Sequence, residues 1–84
     1  MEFVYILQSK KDKKLYTGWT NDLRKRFFEH ESGKVLSTAN RRPLKLIYFE
    51  TCINRKDALQ REKYLKTAWG KRYIKNRLRN YLMG

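Results

Sequence analysis

Residues 3–19 read FVYILQSKKDKKLYTGW, which is an apolar run, a polar turn and a second apolar run. This pattern predicts a β-hairpin. If the pairing is centred on the middle of the polar turn, Tyr16 lies opposite Leu7. Tyr5 then lies opposite Gly18, and the two tyrosines become diagonal neighbours on one face, roughly 7–8 Å apart. The hairpin alone favours two core tyrosines over a functional pair.

The composition favours a small domain with a polyanionic partner. The chain has 84 residues, with 21 lysines and arginines against 8 aspartates and glutamates, a formal net charge of +13. This length predicts one domain, residues 1–84, with no room for a separate recognition domain. The basic excess favours a polyanion. A ribosome-binding or membrane-surface protein would carry the same excess, so the charge indicates no particular chemistry.

The counts of cysteine and histidine exclude two common kinds of site. Cys52 is the single cysteine, so it cannot form an internal disulfide, and one histidine cannot complete a zinc site with it. We expect Cys52 to be a buried thiol. No apolar run approaches the length of about 18 residues that spans a bilayer, and no signal peptide begins the chain. The sequence therefore predicts a cytoplasmic protein with no membrane partner.

A first helix is predicted to follow the hairpin. Thr20 or Asn21 can cap its free amides, and Gly33 can end it. Leu23 and Phe27 are four residues apart and form its inward stripe.

Two polar residues of this helix, Arg26 and His30, lean toward the same inward side. Phe28 falls outside the stripe, which predicts a second covered side of the helix, whereas Glu29 is expected to face water. A snorkelling Arg26 and a hydrogen-bonded His30 at the core margin explain the same positions.

The remaining chain is predicted to form a loop, a strand and two helices. Residues 34–43 are a basic loop, residues 44–50 are a third strand, and Asn54 caps a second helix. Residues 69–70, Trp-Gly, interrupt the pattern, and a third helix covers residues 71–82. The predicted order is β-β-α-β-α-α, an α+β fold with a small three-stranded antiparallel or mixed sheet flanked by helices.

The second helix places an acidic residue on its inward side. Ala58 and Leu65 define the buried stripe, and Glu62 lies between them at spacings of four and three. A carboxylate there is costly unless a cation satisfies it. A lysine or arginine would do so, and a divalent metal would do so equally well.

The third helix combines an apolar stripe with a basic surface. We expect its inward residues to be Ile74, Leu78, Tyr81 and Leu82. In the chain as a whole, the basic residues predicted to contact nucleic-acid phosphates are Lys34, Arg41, Arg42, Lys71 and Arg72. A merely solvated basic surface is the alternative.

The inward-leaning polar residues are sufficient for phosphodiester hydrolysis. That reaction needs an activated water, a cation against the charge that grows on the phosphorus oxygens, and help for the departing oxygen. A tyrosine can accept the water's proton if a metal or an arginine lowers its pKa from about 10. Arg26 can hold the phosphate oxygens, and Glu62 can hold the metal. Composition alone would not select this reaction.

The order of these motifs resembles the GIY-YIG nuclease superfamily. The chain is similar to the small single-domain members that resemble the nuclease domain of the UvrC excision-repair subunit, and the resemblance covers nearly all of it. The residues that carry the resemblance are Phe3-Val4-Tyr5, Tyr16-Thr17-Gly18, Asn21-Asp22-Leu23 with Arg26 and His30, and Ala58 with Arg61-Glu62.

The resemblance implies roles for several side chains. Tyr5 and Tyr16 would line the active site, one of them as general base or as the group that positions the attacking water. Arg26 would stabilise the pentacovalent phosphate, and His30 would help to position water or phosphate. Glu62 would be the single ligand of Mg²⁺ or Mn²⁺, which keeps several waters.

Two residues depart from the family pattern. Phe3 stands where the first motif usually has glycine, which narrows the space there, and Trp19 stands where the excision-repair enzymes carry a lysine. Many members also use an asparagine of the last helix. Asn76 is better spaced for this role than Asn80, although it lies off the apolar stripe.

The leading hypothesis is a metal-dependent endonuclease that hydrolyses DNA by a one-metal mechanism. RNA is a further candidate substrate, selection is expected to follow strand structure rather than sequence, and DNA repair or recombination is the expected setting. One alternative is a nucleic-acid-binding module of the same fold without cleavage. The other is a basic ribosome-associated structural protein. Cleavage of nucleic acid separates the first hypothesis from the other two.

Overall fold

The computed structural model describes all 84 residues. Its elements are β1 (Glu2–Ser9), β2 (Leu15–Thr20), α1 (Leu23–Glu31), α2 (Leu36–Ala39), β3 (Leu44–Cys52), α3 (Arg55–Leu65), α4 (Ala68–Arg77) and α5 (Arg79–Met83). The strands form one antiparallel sheet in the order β2-β1-β3, so β1 is central. The predicted α+β fold, a three-stranded sheet flanked by helices, is confirmed.

The register of the hairpin is the predicted one. Tyr16 pairs with Leu7, and Tyr5 pairs with Gly18. The turn is fixed by Ser9, which is fully buried and whose hydroxyl accepts hydrogen bonds from two turn amides. Both tyrosine side chains therefore lie on one face of the sheet, with ring centroids 6.4 Å apart.

The sheet divides the apolar core into two layers. On one face, Val4 and Ile6 of β1 pack with the inward stripes of α3 and α4, which are Ala58, Leu65 and Ile74. On the other face, Tyr5, Leu7 and Leu44 pack beneath α1. Full burial of one such aliphatic side chain contributes about 1.5–3 kcal/mol. The alternation along β1 thus sends its tyrosine toward α1.

The start of α1 differs from the prediction. Asp22 is the cap, and its carboxylate accepts a hydrogen bond of 3.1 Å from the amide of Lys25. Thr20 instead accepts from the amide of Asp22. Gly33, with φ +80°, follows the helix as predicted. The predicted second covered side is wrong, because Phe28 is 65% exposed.

Residues 34–43 are more ordered than the predicted loop. They contain α2, a single helical turn that packs against α1. Val35 and Thr38 are buried, so this segment contributes to the core rather than only to the basic surface. The third strand is also two residues longer than predicted and ends at Cys52, which is half-buried rather than buried.

The C-terminal helix begins earlier than predicted. Trp69 and Gly70 lie inside α4, whose cap is Thr67; the Thr67 hydroxyl accepts a hydrogen bond from the amide of Gly70. Gly70 packs against the backbone at the end of α3, where a Cβ atom would collide with the carbonyl of Tyr64. This glycine is a close-approach residue and not a helix breaker.

The predicted third helix is divided at Leu78, where φ is −107° and ψ is 23°. Ile74 is buried, and Leu78 packs at the margin of the same core. Leu82 is half-buried. Tyr81 does not point inward as predicted, because it is 43% exposed and donates a 2.6 Å hydrogen bond to Gln8. No helix has both the length and the apolar character needed to cross a bilayer.

Candidate active site

A buried hydrogen-bonded chain connects β1, α1 and α2. The hydroxyl of Tyr5 lies 2.9 Å from Nε2 of His30. Nδ1 of His30 lies 2.7 Å from Oγ1 of Thr38. None of the three side chains is more than 1% exposed. The one turn of α2 is therefore the element that brings the third member of this chain into place.

The direction of the hydrogen bonds follows from Thr38. Its hydroxyl donates to the carbonyl of Val35 at 3.4 Å, so its oxygen accepts from the Nδ1–H of His30. Nε2 of His30 then carries a lone pair and accepts a hydrogen bond from the Tyr5 hydroxyl. With the proton of neutral His30 on Nδ1, all three contacts are hydrogen bonds, which the other tautomer does not achieve.

The environment keeps both groups uncharged. Burial, reinforced by the positive charge of Arg26, lowers the pKa of His30 to about 4. Burial raises the pKa of Tyr5 to about 12, and nearby Arg26 only partly offsets this. At neutral pH, His30 is therefore not an acid with a proton to give, and Tyr5 keeps its own proton.

Gly18 explains how Tyr5 reaches this position. The ring of Tyr5 lies across its cross-strand partner, and a Cβ atom on Gly18 would collide with the tyrosine hydroxyl. Because the ring is fully buried, it has little freedom to yield. The glycine of the second motif is thus required by the tyrosine of the first.

Tyr16 differs from Tyr5 in access. Its ring centroid lies 5.2 Å from that of His30, so it belongs to the same cluster. Its side chain is half-buried, and its hydroxyl has no hydrogen-bond partner within the protein and reaches solvent. A water or a substrate oxygen can therefore meet Tyr16 without displacing a protein contact.

Arg26 lies between the Tyr5 cluster and the solvent. Its side chain is 36% exposed and forms an ion pair of 3.1 Å with Glu29, which is half-buried and not free in water as expected. The guanidinium lies beside the Tyr5 hydroxyl and faces a cavity of about 360 Å³. The cavity is lined by Trp19, Thr20, Asn21, Asp22, Lys25, Arg26 and Glu29.

Glu62 approaches from the opposite side of the sheet. Its side chain is 22% exposed, and its charge is one of the influences that raise the pKa of Tyr5. The cation that satisfies the carboxylate is Lys66, 3.3 Å away and one turn later in α3. Lys66 is 54% exposed, and a surface pair of this spacing contributes only about 0.3–0.5 kcal/mol. The carboxylate is therefore easily released for another cation.

Asn76 lies apart from these residues. It is exposed on α4 and lines a separate cavity with Gln8 and Arg79. Asn80 is likewise exposed, in α5. The structure thus brings together Tyr5, Tyr16, Arg26 and His30, sets Glu62 within electrostatic reach of Tyr5, and does not bring Asn76 to them.

The basic residues predicted to contact phosphates have different surroundings. Arg41 is half-buried and pairs with Asp12 at 3.8 Å, and Arg42 donates to two backbone carbonyls. Lys34, Lys71 and Arg72 are exposed and take part in no ion pair.

Thr38 was not predicted from the sequence, although a signal for it exists. Val35 and Thr38 are three residues apart and are both buried, the spacing of one inward face of a helical turn. A threonine in place of the second apolar residue of that face indicates a hydrogen-bond partner inside the protein.

A family model of the GIY-YIG catalytic domain matches residues 1–77. The chain belongs to the GIY-YIG family. A UPF0213 protein of Clostridium perfringens is 49% identical over 67 residues, which are 79% of this chain and 71% of that protein. A UPF0213 protein of Syntrophus aciditrophicus is 46% identical over 66 residues, covering 76% of this chain and 75% of that protein.

A solved UPF0213 protein has a similar fold. The solution NMR structure of a UPF0213 protein from Bacillus halodurans has a TM-score of 0.54 and 32% sequence identity, and it covers 88% of this chain and 82% of that one. The fold assignment therefore stands on sequence and on structure.

The two departures from the GIY-YIG pattern lie beside the Arg26 cavity. Phe3 packs against Phe49 with ring centroids 6.1 Å apart, and it borders a second, more apolar cavity that adjoins the first. Trp19 donates to Glu2 at 3.0 Å and is covered by Arg55. Neither aromatic ring belongs to the Tyr5 cluster.

Proposed function

We propose that this GIY-YIG protein is an endonuclease that hydrolyses DNA phosphodiester bonds with Mg²⁺ or Mn²⁺. The observation that carries the proposal is the packing of Tyr5, Tyr16 and His30 in one cluster, together with Arg26, which contacts Tyr5 of that cluster and also lines an open cavity. A structural cluster would need no open cavity and no half-exposed guanidinium. Selection by strand structure, and a role in DNA repair or recombination, belong to the same proposal.

The donor set fits a hard divalent cation that keeps most of its waters. No group of three acidic, histidine or cysteine side chains is present, so no all-protein cage can form. Mg²⁺ is usually held by one or two carboxylates together with water and phosphate oxygens. Glu62 offers one half-buried carboxylate whose present partner is a weakly held lysine. When bound there, the metal would polarise the phosphate and lower the pKa of a coordinated water.

The protein's own residues divide the remaining tasks. Arg26 binds the phosphate oxygens in the cavity and offsets the charge that grows on them. Tyr16 contacts the attacking water, because its hydroxyl is open to solvent. Tyr5 remains protonated and donates a hydrogen bond from its hydroxyl to His30. It thereby positions Arg26 and Tyr16, which pack against it.

Cleavage assays with matched variants test this function. Plasmid, flap, branched and single-stranded DNA should be incubated with Mg²⁺ or Mn²⁺, and with EDTA as the metal-free control. Glu62→Gln and Arg26→Gln should each lose activity by about 10²-fold or more, as expected when one transition-state contact is removed. Asp57→Asn removes one charge from an exposed position of the same helix and should leave activity unchanged. Undiminished cutting by Glu62→Gln would mean a contaminating nuclease and would reject the proposal.

Metal binding can be measured without turnover. Mn²⁺ titration followed by electron paramagnetic resonance should show a site in the wild type that Glu62→Gln lacks. Lys66→Ala removes the competing ammonium, so its Mn²⁺ affinity should equal or exceed that of the wild type. Weaker Mn²⁺ binding by Lys66→Ala would show that Glu62 is not the ligand.

A further inference from the structure

Two adjoining cavities form a basic groove on the face of the sheet opposite the Tyr5 cluster. One, of about 370 Å³, lies between the end of the hairpin turn and α4. The other, of about 660 Å³, continues along α4 to α5, and the two share Lys13, Leu15 and Lys75. Six cations line this groove, namely Lys13, Lys14, Lys71, Arg72, Lys75 and Arg79.

The walls of the groove carry the cations, and its floor is apolar. Lys13 and Lys14 come from the hairpin side. Lys71 and Lys75, four residues apart, project from one side of α4. Ile6, Leu15, Leu65 and Ile74 form the floor. The two basic walls therefore face each other across a channel.

No anion of the protein neutralises these cations. No acidic residue lines either cavity, and none of the six cations forms an ion pair. The four ion pairs of the structure use Arg26, Arg41, Arg61 and Lys66 instead. Like charges gathered in one place oppose the compact state, so an unpaired set of six favours an external polyanion.

The groove adjoins the candidate active site through β2. Thr17 lines the groove, whereas its neighbours Tyr16 and Gly18 lie on the opposite face of the sheet, beside Tyr5. β2 is an edge strand, so nothing covers its outer side in the sheet. A single extended polyanion can therefore contact both faces by passing around that edge.

We infer that this groove binds the phosphate backbone of one nucleic-acid strand, outside the nucleotides that reach Arg26. The inference rests on the proposed nucleic-acid substrate but not on cleavage. Phosphate contacts by lysine and arginine supply most of the sequence-independent affinity of such complexes. The groove thus provides binding affinity, while the Tyr5 face provides the chemistry.

Salt-dependent binding of a labelled oligonucleotide tests the inference. Measurements by fluorescence anisotropy in EDTA exclude cleavage. The double variant Lys71→Ala with Lys75→Ala should bind about tenfold more weakly, and its slope of log K against log salt should fall by about 1.4, or about 0.7 for each lost phosphate contact with a single strand. Lys71→Arg with Lys75→Arg keeps both charges and should bind as the wild type does.

The matched control removes the same charge elsewhere. Lys56→Ala with Lys63→Ala acts on exposed positions of α3 that line neither cavity. An equal loss of slope in this control would show that only total charge matters and would overturn the inference. So would anionic phospholipid vesicles that need Lys71 and Lys75 while oligonucleotide binding does not.

The outcome is separable from that of the proposed function. Binding is measured in EDTA, so its result depends neither on the metal nor on cleavage. A protein that binds through the groove and never cuts would refute the nuclease and support the groove. A protein that cuts, and whose oligonucleotide binding is unchanged by Lys71→Ala with Lys75→Ala, would support the nuclease and refute the groove.

Discussion

At the scale of single residues, the candidate site depends on one threonine. Tyr5 and His30 are common to the motif pattern, but the proton arrangement between them is fixed by Thr38 through Nδ1 of the imidazole. With the other tautomer, Nε2 would carry the proton and could not accept the hydroxyl of Tyr5. Thr38 is thus a positioning residue that acts through His30.

Replacing Thr38 by valine should change the tautomer of His30. The variant leaves a buried Nδ1–H without an acceptor, which costs about 1–3 kcal/mol of unfolding free energy. Nitrogen chemical shifts of the imidazole should move toward the Nε2–H form, and cleavage should fall. Thr38→Ser keeps the acceptor and should restore both the shifts and the activity. Unaltered shifts in the valine variant would contradict this account.

His30 should also make folding stability depend on pH. Its pKa is about 4 in the folded protein against 6.5 as the ordinary value, so the unfolded chain takes up the proton first as the pH falls. Above pH 6.5 the imidazole is neutral in both states, so it does not reduce the free energy of unfolding. As the pH falls from 6.5 toward 4, protonation of the unfolded chain lowers the free energy of unfolding by roughly 3 kcal/mol. Arg26 enhances this effect, whereas Glu29 and Glu31 oppose it.

Denaturant unfolding at several pH values measures this dependence. Carboxylates such as Glu50, whose pKa is lowered by Arg61, add their own loss of stability near the acid end. The difference between wild type and His30→Gln isolates the imidazole. A difference that does not change between pH 6.5 and pH 4 would contradict the buried, neutral His30.

At the scale of elements, the position of α3 decides where Glu62 stands. Arg61, its neighbour in the motif, makes two hydrogen bonds of 2.8 and 2.9 Å to the carboxylate of Glu50 in β3. The same guanidinium packs on the rings of Tyr64 and Tyr73. This arginine therefore fastens α3 to the sheet, so its role in the motif is structural.

Breaking this pair should disturb Glu62 at a distance. Arg61→Lys keeps the charge but cannot form the paired contact, so we expect about 1–2 kcal/mol of lost stability. The Mn²⁺ affinity of Glu62 should fall with it, whereas Arg55→Lys, on the same helix, should change Mn²⁺ affinity little. Thermal unfolding and Mn²⁺ titration give the two readouts. If Arg61→Lys is destabilised but keeps the full Mn²⁺ affinity, Arg61 does not position Glu62.

What the sequence predicted depended on how locally each feature is determined. The hairpin register followed from the turn and the alternation, so Tyr5 and Tyr16 were placed correctly on one face. Two features depended on contacts between separate helices, which the pattern within each helix does not reveal. The sequence predicts an interruption at Gly70, because the close contact of this glycine with the end of α3 cannot be read from the residue pattern. Thr38 was missed because its partner, His30, lies in another helix.

The site was predictable to the same extent. Periodicity put Arg26 and His30 on one side of α1, where the structure has them, but it could not distinguish the buried imidazole from the half-exposed guanidinium. Glu62 was expected to meet a cation, and the structure supplies Lys66. Spacing could not tell that Asn76 would lie on another surface, because the division of the last helix at Leu78 and the packing of α4 decide it.

At the scale of the whole molecule, the net charge of +13 acts on stability as well as on binding. Salt screens the mutual repulsion of the cations. The unfolding temperature should therefore rise from low to moderate salt, while nucleic-acid affinity falls. Lys71→Ala with Lys75→Ala should show a smaller rise, because part of the repulsion is already removed. A salt-independent unfolding temperature, measured by calorimetry, would contradict the repulsion within the groove.

The two tryptophans give each surface its own optical signal. Trp19 lines the Arg26 cavity and is half-buried, whereas Trp69 is 68% exposed and stacks with Arg72, a residue of the groove. With tryptophan excited selectively, a chain with Trp69→Phe reports only from the cavity, and a chain with Trp19→Phe reports only from beside the groove. Quenching in the two chains, followed in time after mixing with DNA, would reveal whether the strand settles in the groove before its phosphate enters the cavity.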